Sequence, residues 1–161
     1  MQAQHVRLLK IPVFMLGLVP FGILLAEALG LWGWSLGTNP VESLIHFTGT
    51  WTLNFLLLTL AVTPLRRLTG RAWILRFRRM LGLFAFFYLA LHVVIYVALD
   101  RSLDAGLILE DVVKRPFITI GVLALLMLLP LAVTSTRGWM RRLGRRWQSL
   151  HRLIYPAAIL G

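Results

Sequence analysis

Three histidines in or beside long apolar segments are the side chains of this chain best suited to chemistry. His92 stands inside the uncharged run Met80–Leu99, which is long enough to cross a bilayer as a helix. His46 and His151 stand near the ends of two other apolar segments, whereas His5 belongs to the polar N-terminal segment. Because a polar side chain is costly inside the hydrocarbon, His92 is a candidate functional residue.

The chemistry open to these histidines is limited by the rest of the composition. The chain has no cysteine, which excludes disulfides, thiolate-bound metal clusters and cysteine nucleophiles. No serine has an accompanying acid–base partner, and a zinc site would need further ligands. Haem needs only one axial imidazole on each face, supplied by different helices of a bundle. Haem ligation by His92 and His151 is therefore one interpretation, and hydrogen bonding to a neighbouring helix or to the interface is the alternative.

The depths of the two histidines predict separate haem positions. His92 lies about 18 Å along its helix from Met80, because a helix rises about 1.5 Å per residue. His151 lies within about one turn of the membrane face that carries the arginines. One haem cannot easily take both imidazoles at such different depths, so two haems, one near each face, fit the spacing better.

Three further residues are candidate contacts for a cofactor. His46, at the interface away from the arginine-rich loops, is a candidate contact for a quinone, or a helix-start histidine that bonds to backbone. Arg78 and Arg79 precede the His92 segment and could bind haem propionates or a flavin phosphate by charge-assisted hydrogen bonds. The alternative for this pair is that it only sets membrane topology.

Composition and segment lengths predict the elements that hold these residues. Hydrophobic residues make up 58% of the chain and charged residues 14%, with a net charge of +11. This balance indicates an all-α integral membrane bundle rather than a nucleic-acid-binding protein, because the basic loops alternate with membrane-length segments. Four full transmembrane helices are predicted, at about Ile11–Trp32, Leu44–Pro64, Met80–Leu99 and Phe117–Ser135.

The basic residues predict the orientation of the chain. Of its 17 lysines and arginines, two precede the first span, six follow the second and six follow the fourth. The predicted loop 33–43 has none, and the segment after the third span has the remaining three. By the positive-inside rule, the N-terminus and the arginine-rich loops are expected to be cytoplasmic.

The C-terminal part of the chain is expected to lie on and then enter the membrane. In Arg137–Leu150, tryptophans and leucines recur at helical spacing between arginines, which is typical of a basic helix lying on anionic lipid. A fifth apolar span begins at Leu150 and continues for about 18 Å to the last residue, against a hydrocarbon core of about 30 Å. We therefore expect the chain to be part of a longer protein, with part of its site beyond residue 161.

Several short motifs resemble those of a known family. They occur in the order and at the spacing of that family over nearly the whole chain. They are Asn39-Pro-Val, His46-Phe-Thr-Gly, Thr63-Pro-Leu, Arg78-Arg-Met-Leu-Gly-Leu, Leu91-His92, Arg115-Pro-Phe-Ile-Thr-Ile-Gly121, Thr134-Ser-Thr and Trp147-Gln-Ser-Leu-His151. The chain resembles the haem-binding membrane subunits of bacterial methionine sulfoxide reductase systems, within the ferric-reductase-like transmembrane family. The resemblance covers residues 1–161 as one domain.

The resemblance implies a b-type haem subunit of the bacterial inner membrane, with one or two haems. It implies that His92 and His151 are haem ligands and that a further ligand histidine follows on the last helix. It also implies a periplasmic molybdopterin-dependent methionine sulfoxide reductase as electron acceptor. A cytoplasmic flavin reductase or quinol would be the electron donor, with FMN or quinone as further cofactors.

The chain lacks a glycine-rich dinucleotide fingerprint, so it is expected to be an electron-transfer subunit rather than a complete enzyme. Two other functions remain open at this point. One alternative is a quinol-oxidising cytochrome b anchor for another periplasmic partner. The other is a membrane transporter or assembly protein without haem, whose histidines carry protons or only pack.

Overall fold

The computed structural model describes residues 3–31 and 38–160, and the side chains of all of these except residues 3–5 and 137. The predicted role of His5 and residues 33–37 of the predicted loop therefore lie outside the described parts. Within those parts every regular element is helical, which confirms the all-α prediction. The α-helices are α1 (Ala3–Ala28), α2 (Pro40–Thr69), α3 (Leu75–Ile95), α4 (Ala105–Lys114), α5 (Pro116–Val133), α6 (Arg137–Leu143), α7 (Arg145–Leu150) and α8 (Ile154–Leu160).

Within the described residues, four helical stretches are long and apolar enough to cross a membrane, as predicted. They are Val6–Ala28, Pro40–Thr69, Ala72–Asp100 and Pro116–Val133. Two of the predicted spans, the second and the third, were too short. The second stretch begins at Pro40, because Asn39 Oδ1 accepts a hydrogen bond from the Glu42 N–H and caps the helix. The third begins with a 3₁₀ turn at Ala72–Ile74. It includes the arginines from Arg76 onwards, which were predicted to lie in the basic segment before the span.

The chain forms two compact units, the first ending at Asp100 and the second beginning at Arg101. In the first unit, α2 and α3 pack closely along a row of buried threonines on α2. Thr48, Thr52 and Thr59 donate their hydroxyl hydrogens to the carbonyl oxygen four residues before them, at 2.7–2.9 Å. Their polar groups are thus satisfied within α2, and their small size lets α3 approach.

A tyrosine of α3 joins α1 to this pair of helices. The Tyr88 hydroxyl donates to Gly17 O at 2.8 Å and accepts from Phe21 N at 3.0 Å. These two backbone groups are four residues apart, the pair that an α-helix ordinarily joins directly, so the hydroxyl contacts both members of one pair in the hydrogen-bond ladder of α1. Gly17 permits this approach, because a Cβ there would lie 2.8 Å from Cδ2 of Phe84.

The second unit contains α4 to α8, and its first helix was not predicted. α4 occupies the segment of mixed charge after the third span, and the N–H groups of Gly106 and Leu107 in its first turn donate to Asp104 Oδ1. The predicted basic helix 137–150 is present as two helices, α6 and α7, and not as one. The break falls at Gly144, where φ is +51°, a conformation that glycine adopts at little cost. Residues 154–160, within the predicted fifth span, form α8.

Candidate functional site

The imidazole of His92 is fixed against the backbone of α2. Its Nδ1 lies 3.0 Å from the carbonyl oxygen of Ile45 and 3.3 Å from the Thr48 hydroxyl. The Thr48 hydroxyl hydrogen is directed to Leu44 O at 2.7 Å, so both neighbours of Nδ1 act as acceptors. Nδ1 must therefore carry the proton in this arrangement, and the lone pair of the neutral ring is on Nε2. A carbonyl that accepts from the other ring nitrogen is what orients a ligand histidine at a metal.

A glycine of α2 makes room for the same ring. A Cβ atom at Gly49 would lie 3.3 Å from Cε1 and 3.4 Å from Nδ1 of His92. Those distances are shorter than ordinary van der Waals contact, so any larger residue at this position would push the imidazole away from α2. Gly49 therefore sets where Nε2 of His92 lies.

The helix that carries His92 changes its winding directly after it. Tyr96 N donates to the carbonyl oxygens of His92 and Val93, and Tyr96–Asp100 is a π-helix. Such segments are rare and occur often at functional sites. The irregular turn begins four residues beyond the histidine, which is consistent with a functional role for this part of α3.

His151, in the second unit, is held by different contacts. Its Nε2 lies 3.2 Å from the Thr134 hydroxyl, and its ring stacks on Trp147 with centroids 3.9 Å apart. Trp147 Nε1 donates to Thr134 O at 3.0 Å, which completes a cluster of these three residues. The Thr134 hydroxyl hydrogen goes to Pro130 O at 2.6 Å, so this hydroxyl accepts from His151 Nε2–H.

The two predicted ligands contact the protein through opposite nitrogens. His92 donates through Nδ1 to the Ile45 carbonyl, whereas the Thr134 contact of His151 is made through Nε2. Either nitrogen of a neutral imidazole can bind a metal. Binding of a metal through Nε2 would break the Thr134 contact of His151 and leave the Ile45 contact of His92 in place.

The other predicted contacts lie in less enclosed places. His46 is exposed at the start of α2, with Nε2 3.7 Å from Oε1 of Glu42 one turn earlier. Arg78 is half-buried, and its Nη1 lies 3.5 Å from the Thr63 hydroxyl. Arg79 is exposed. These placements leave the predicted quinone, flavin and propionate contacts as predictions.

Sequence reasoning missed the residues that orient the two histidines. Thr48, Gly49 and the Ile45 carbonyl contact His92, and Thr134 contacts His151. Thr48 and Gly49 stand two and three residues after His46, and a threonine–glycine step inside an apolar helix is a weak signal of close approach. Within residues 3–31 and 38–160, no group of three or more metal-ligating side chains converges.

Comparison with known proteins places these residues in a family context. Residues 48–161 match the family described as ferric reductase like transmembrane component. The chain is 52% identical over 159 residues to the protein-methionine-sulfoxide reductase heme-binding subunit MsrQ of Ralstonia nicotianae, covering 98% of this chain and 72% of that one. It is 54% identical over 154 residues to the protein of the same name from Azospira oryzae, covering 95% and 65%. The chain thus spans about two thirds of the length of these relatives, and no solved structure matches it.

Proposed function

Because this chain belongs to the ferric-reductase-like transmembrane family and, within it, to the MsrQ group, we propose that it is a b-type haem subunit that carries electrons across the membrane. Its acceptor would be a periplasmic molybdopterin-dependent methionine sulfoxide reductase. It would act as one part of an oxidoreductase system, as a single domain of the bacterial inner membrane with a cytoplasmic N-terminus. The names of the relatives, heme-binding subunits of a protein-methionine-sulfoxide reductase, support both the cofactor and the partner.

One observation carries the proposal. The Nδ1–H of His92 is committed to the Ile45 carbonyl, and the ring lies against Gly49 inside a membrane-length helix. The Ile45 contact fixes the tautomer with the lone pair on Nε2, which is what an axial ligand requires.

The residues of this chain would hold and orient the haem, which when bound supplies one-electron exchange at its iron. His92 would bind through Nε2, with Ile45 and Gly49 fixing the plane and depth of its ring. His151 would serve a second position after releasing Thr134. Arg78 and Arg79, on the arginine-rich side of the membrane, would pair with propionates or with the phosphate of a bound flavin.

The experiment that tests the proposal is a reduced-minus-oxidised visible spectrum of the detergent-purified protein from haem-supplemented cells. We expect a b-type spectrum that weakens in His92→Ala and in His151→Ala. His46→Ala is the matched control, because His46 is exposed and contacts Glu42 on its own helix. A colourless protein would reject the haem role and favour a transporter or assembly function, whereas variants with undiminished haem would reject His92 and His151 as its ligands.

A quinol-oxidising role is the second candidate, and the pairing of His46 with Glu42 favours it. Oxidation of a quinol releases two protons, and an imidazole next to a carboxylate, both exposed, could accept them. Reduction of the haem by a quinol alone, lost in His46→Gln, would support this donor. Reduction only with NADH and a flavin reductase would support the cytoplasmic donor, with FMN as the carrier.

A further inference from the structure

Helix α4 has three distinct sides, and this arrangement points to a membrane surface. We propose that α4 lies in the plane of the membrane at its arginine-poor face and binds lipid through an exposed apolar side. The proposal does not depend on the haem, because all of the residues that carry it belong to the second unit. The three sides are an inward side that contains Asp111, an exposed apolar side and an exposed charged side.

The inward side fixes the rotation of the helix. Asp111 is 7% exposed, and its two carboxylate oxygens bind Arg101 Nε at 2.5 Å and Arg115 Nε at 3.1 Å. A buried carboxylate held by two guanidinium groups cannot turn outward without leaving charges unpaired. The apolar residues on the far side of α4 are therefore held away from the protein.

The junction with α5 fixes the depth of the helix. α4 ends at Lys114 and α5 begins at Pro116, so one residue makes the corner. The Thr119 hydroxyl donates to Val112 O and to Arg115 O, which ties the two helices together across that corner. α5 has 18 residues and is about 27 Å long, so it needs its whole length to cross a hydrocarbon core of about 30 Å. Its first residue, and hence α4, must lie at the edge of the core.

Exposed apolar residues lie on both sides of the corner. Leu109 and Val113, four residues apart on α4, form an apolar stripe and are 66% and 77% exposed, and Phe117, in the first turn of α5, is 68% exposed. Further along α5, large apolar residues are exposed around much of the helix: Ile120, Leu123, Leu126, Leu129 and Val133. Since the exposed surface of a membrane-spanning helix contacts acyl chains and α4 lies at the edge of the same hydrocarbon core, lipid is the natural occupant of the stripe on α4.

The third side faces water. Glu110 and Lys114 are exposed and pair at 2.6 Å, next to the apolar stripe on the helix surface. An apolar side beside a charged side, both exposed, is typical of helices that lie within a membrane interface. The position of α4 at the edge of the hydrocarbon core places its apolar stripe beside acyl chains, which favours lipid over a soluble protein as its occupant.

The absence of cysteine from the sequence allows a direct test. Val113→Cys and Leu109→Cys, labelled with an environment-sensitive NBD dye, would be compared with Glu110→Cys on the same helix. The protein would be reconstituted in vesicles of phosphatidylcholine and phosphatidylglycerol, with and without nitroxide-labelled lipid. We expect blue-shifted emission and strong nitroxide quenching at 113 and 109, and strong quenching by aqueous iodide at 110.

Two outcomes would overturn the proposal. Equal iodide quenching at 113 and 110 would show that the stripe faces water, as a docking surface for a soluble protein would. Protection of 113 from both iodide and lipid nitroxide would show that another protein segment covers it. Circular dichroism of each labelled variant confirms that the helices are retained. Ile159→Cys, exposed on α8, serves as a labelled reference position outside α4.

Discussion

The Nδ1 atom of His92 lies 3.0 Å from the backbone carbonyl oxygen of Ile45, on the neighbouring helix of the same unit. A backbone carbonyl can only accept, so this contact selects one tautomer of the ring. It also cannot be removed by mutating the side chain of residue 45. The orientation of His92 therefore depends on how closely α2 and α3 approach, and that distance is set by small residues on α2.

Gly49→Ala tests this dependence. The added Cβ would meet Cε1 of His92 at 3.3 Å and displace the ring, so we expect haem affinity to fall by about tenfold, as for other changes in the surroundings of a metal ligand. The measurement is a haem titration followed by visible absorption. Gly22→Ala is the control, because its Cβ would enter open space and should leave affinity unchanged. Equal affinities in the two variants would show that His92 does not set the haem position.

Thr134→Val tests the different arrangement at His151. Valine keeps the shape of threonine but removes the oxygen that accepts from His151 Nε2–H. We expect haem affinity to rise by about fivefold, because the free protein loses a hydrogen bond of about 1 kcal/mol that competes with the iron. Thr134→Ser keeps the hydroxyl and should behave as the unmodified protein. Weaker binding in the valine variant would instead show that Thr134 supports the bound state.

The sequence was sufficient to predict the membrane class and the four long helices, and it singled out His92 as a candidate. These features depend on segment length and on the cost of a polar side chain in hydrocarbon, and both are local properties. His92 could be singled out because it is the conspicuous polar residue in Met80–Leu99.

The contacts of the histidines could not be predicted, because they depend on the packing of separate helices. That Ile45 would offer its carbonyl to His92 follows from the register of α2 against α3, which no periodicity specifies. Helix α4 was missed for a related reason. It is ten residues long, and its inward side is fixed by the bonds of Asp111 to Arg101 and Arg115, which depend on packing and not on periodicity.

Asp111→Ala should destabilise the second unit. Removing the carboxylate leaves Arg101 and Arg115 facing each other without their shared partner, and loss of one member of a buried ion pair costs about 3 kcal/mol or more. Glu110→Gln, which breaks only the exposed pair with Lys114, should cost less than about 1 kcal/mol. Both values can be measured by unfolding in mixed detergent micelles. A small effect of Asp111→Ala would mean that the two arginines find other partners at the membrane surface.

Tyr88→Phe should loosen α1 from the rest of the first unit. The change removes the hydroxyl that bonds Gly17 O and Phe21 N, while the ring keeps its stacking on Phe55, whose centroid is 5.3 Å away. No water is present in the hydrocarbon to replace the hydroxyl, so each unpaired backbone group carries a cost. Because these two groups are four residues apart, α1 can recover part of that cost by closing the bond itself.

We therefore expect a loss of about 1 kcal/mol in the free energy of unfolding for Tyr88→Phe, near the value of one hydrogen bond. Tyr155→Phe, at an exposed position in α8, is the control and should have no measurable effect. Backbone amide exchange at Phe21 gives a second measurement. If the Phe21 N–H bonds the Gly17 carbonyl fully in the variant, amide exchange at Phe21 stays slow and the free energy of unfolding does not change. The Tyr88 hydroxyl then does not hold α1 to α3. Faster exchange together with the lower stability would show that Tyr88 holds α1 in place through that bond.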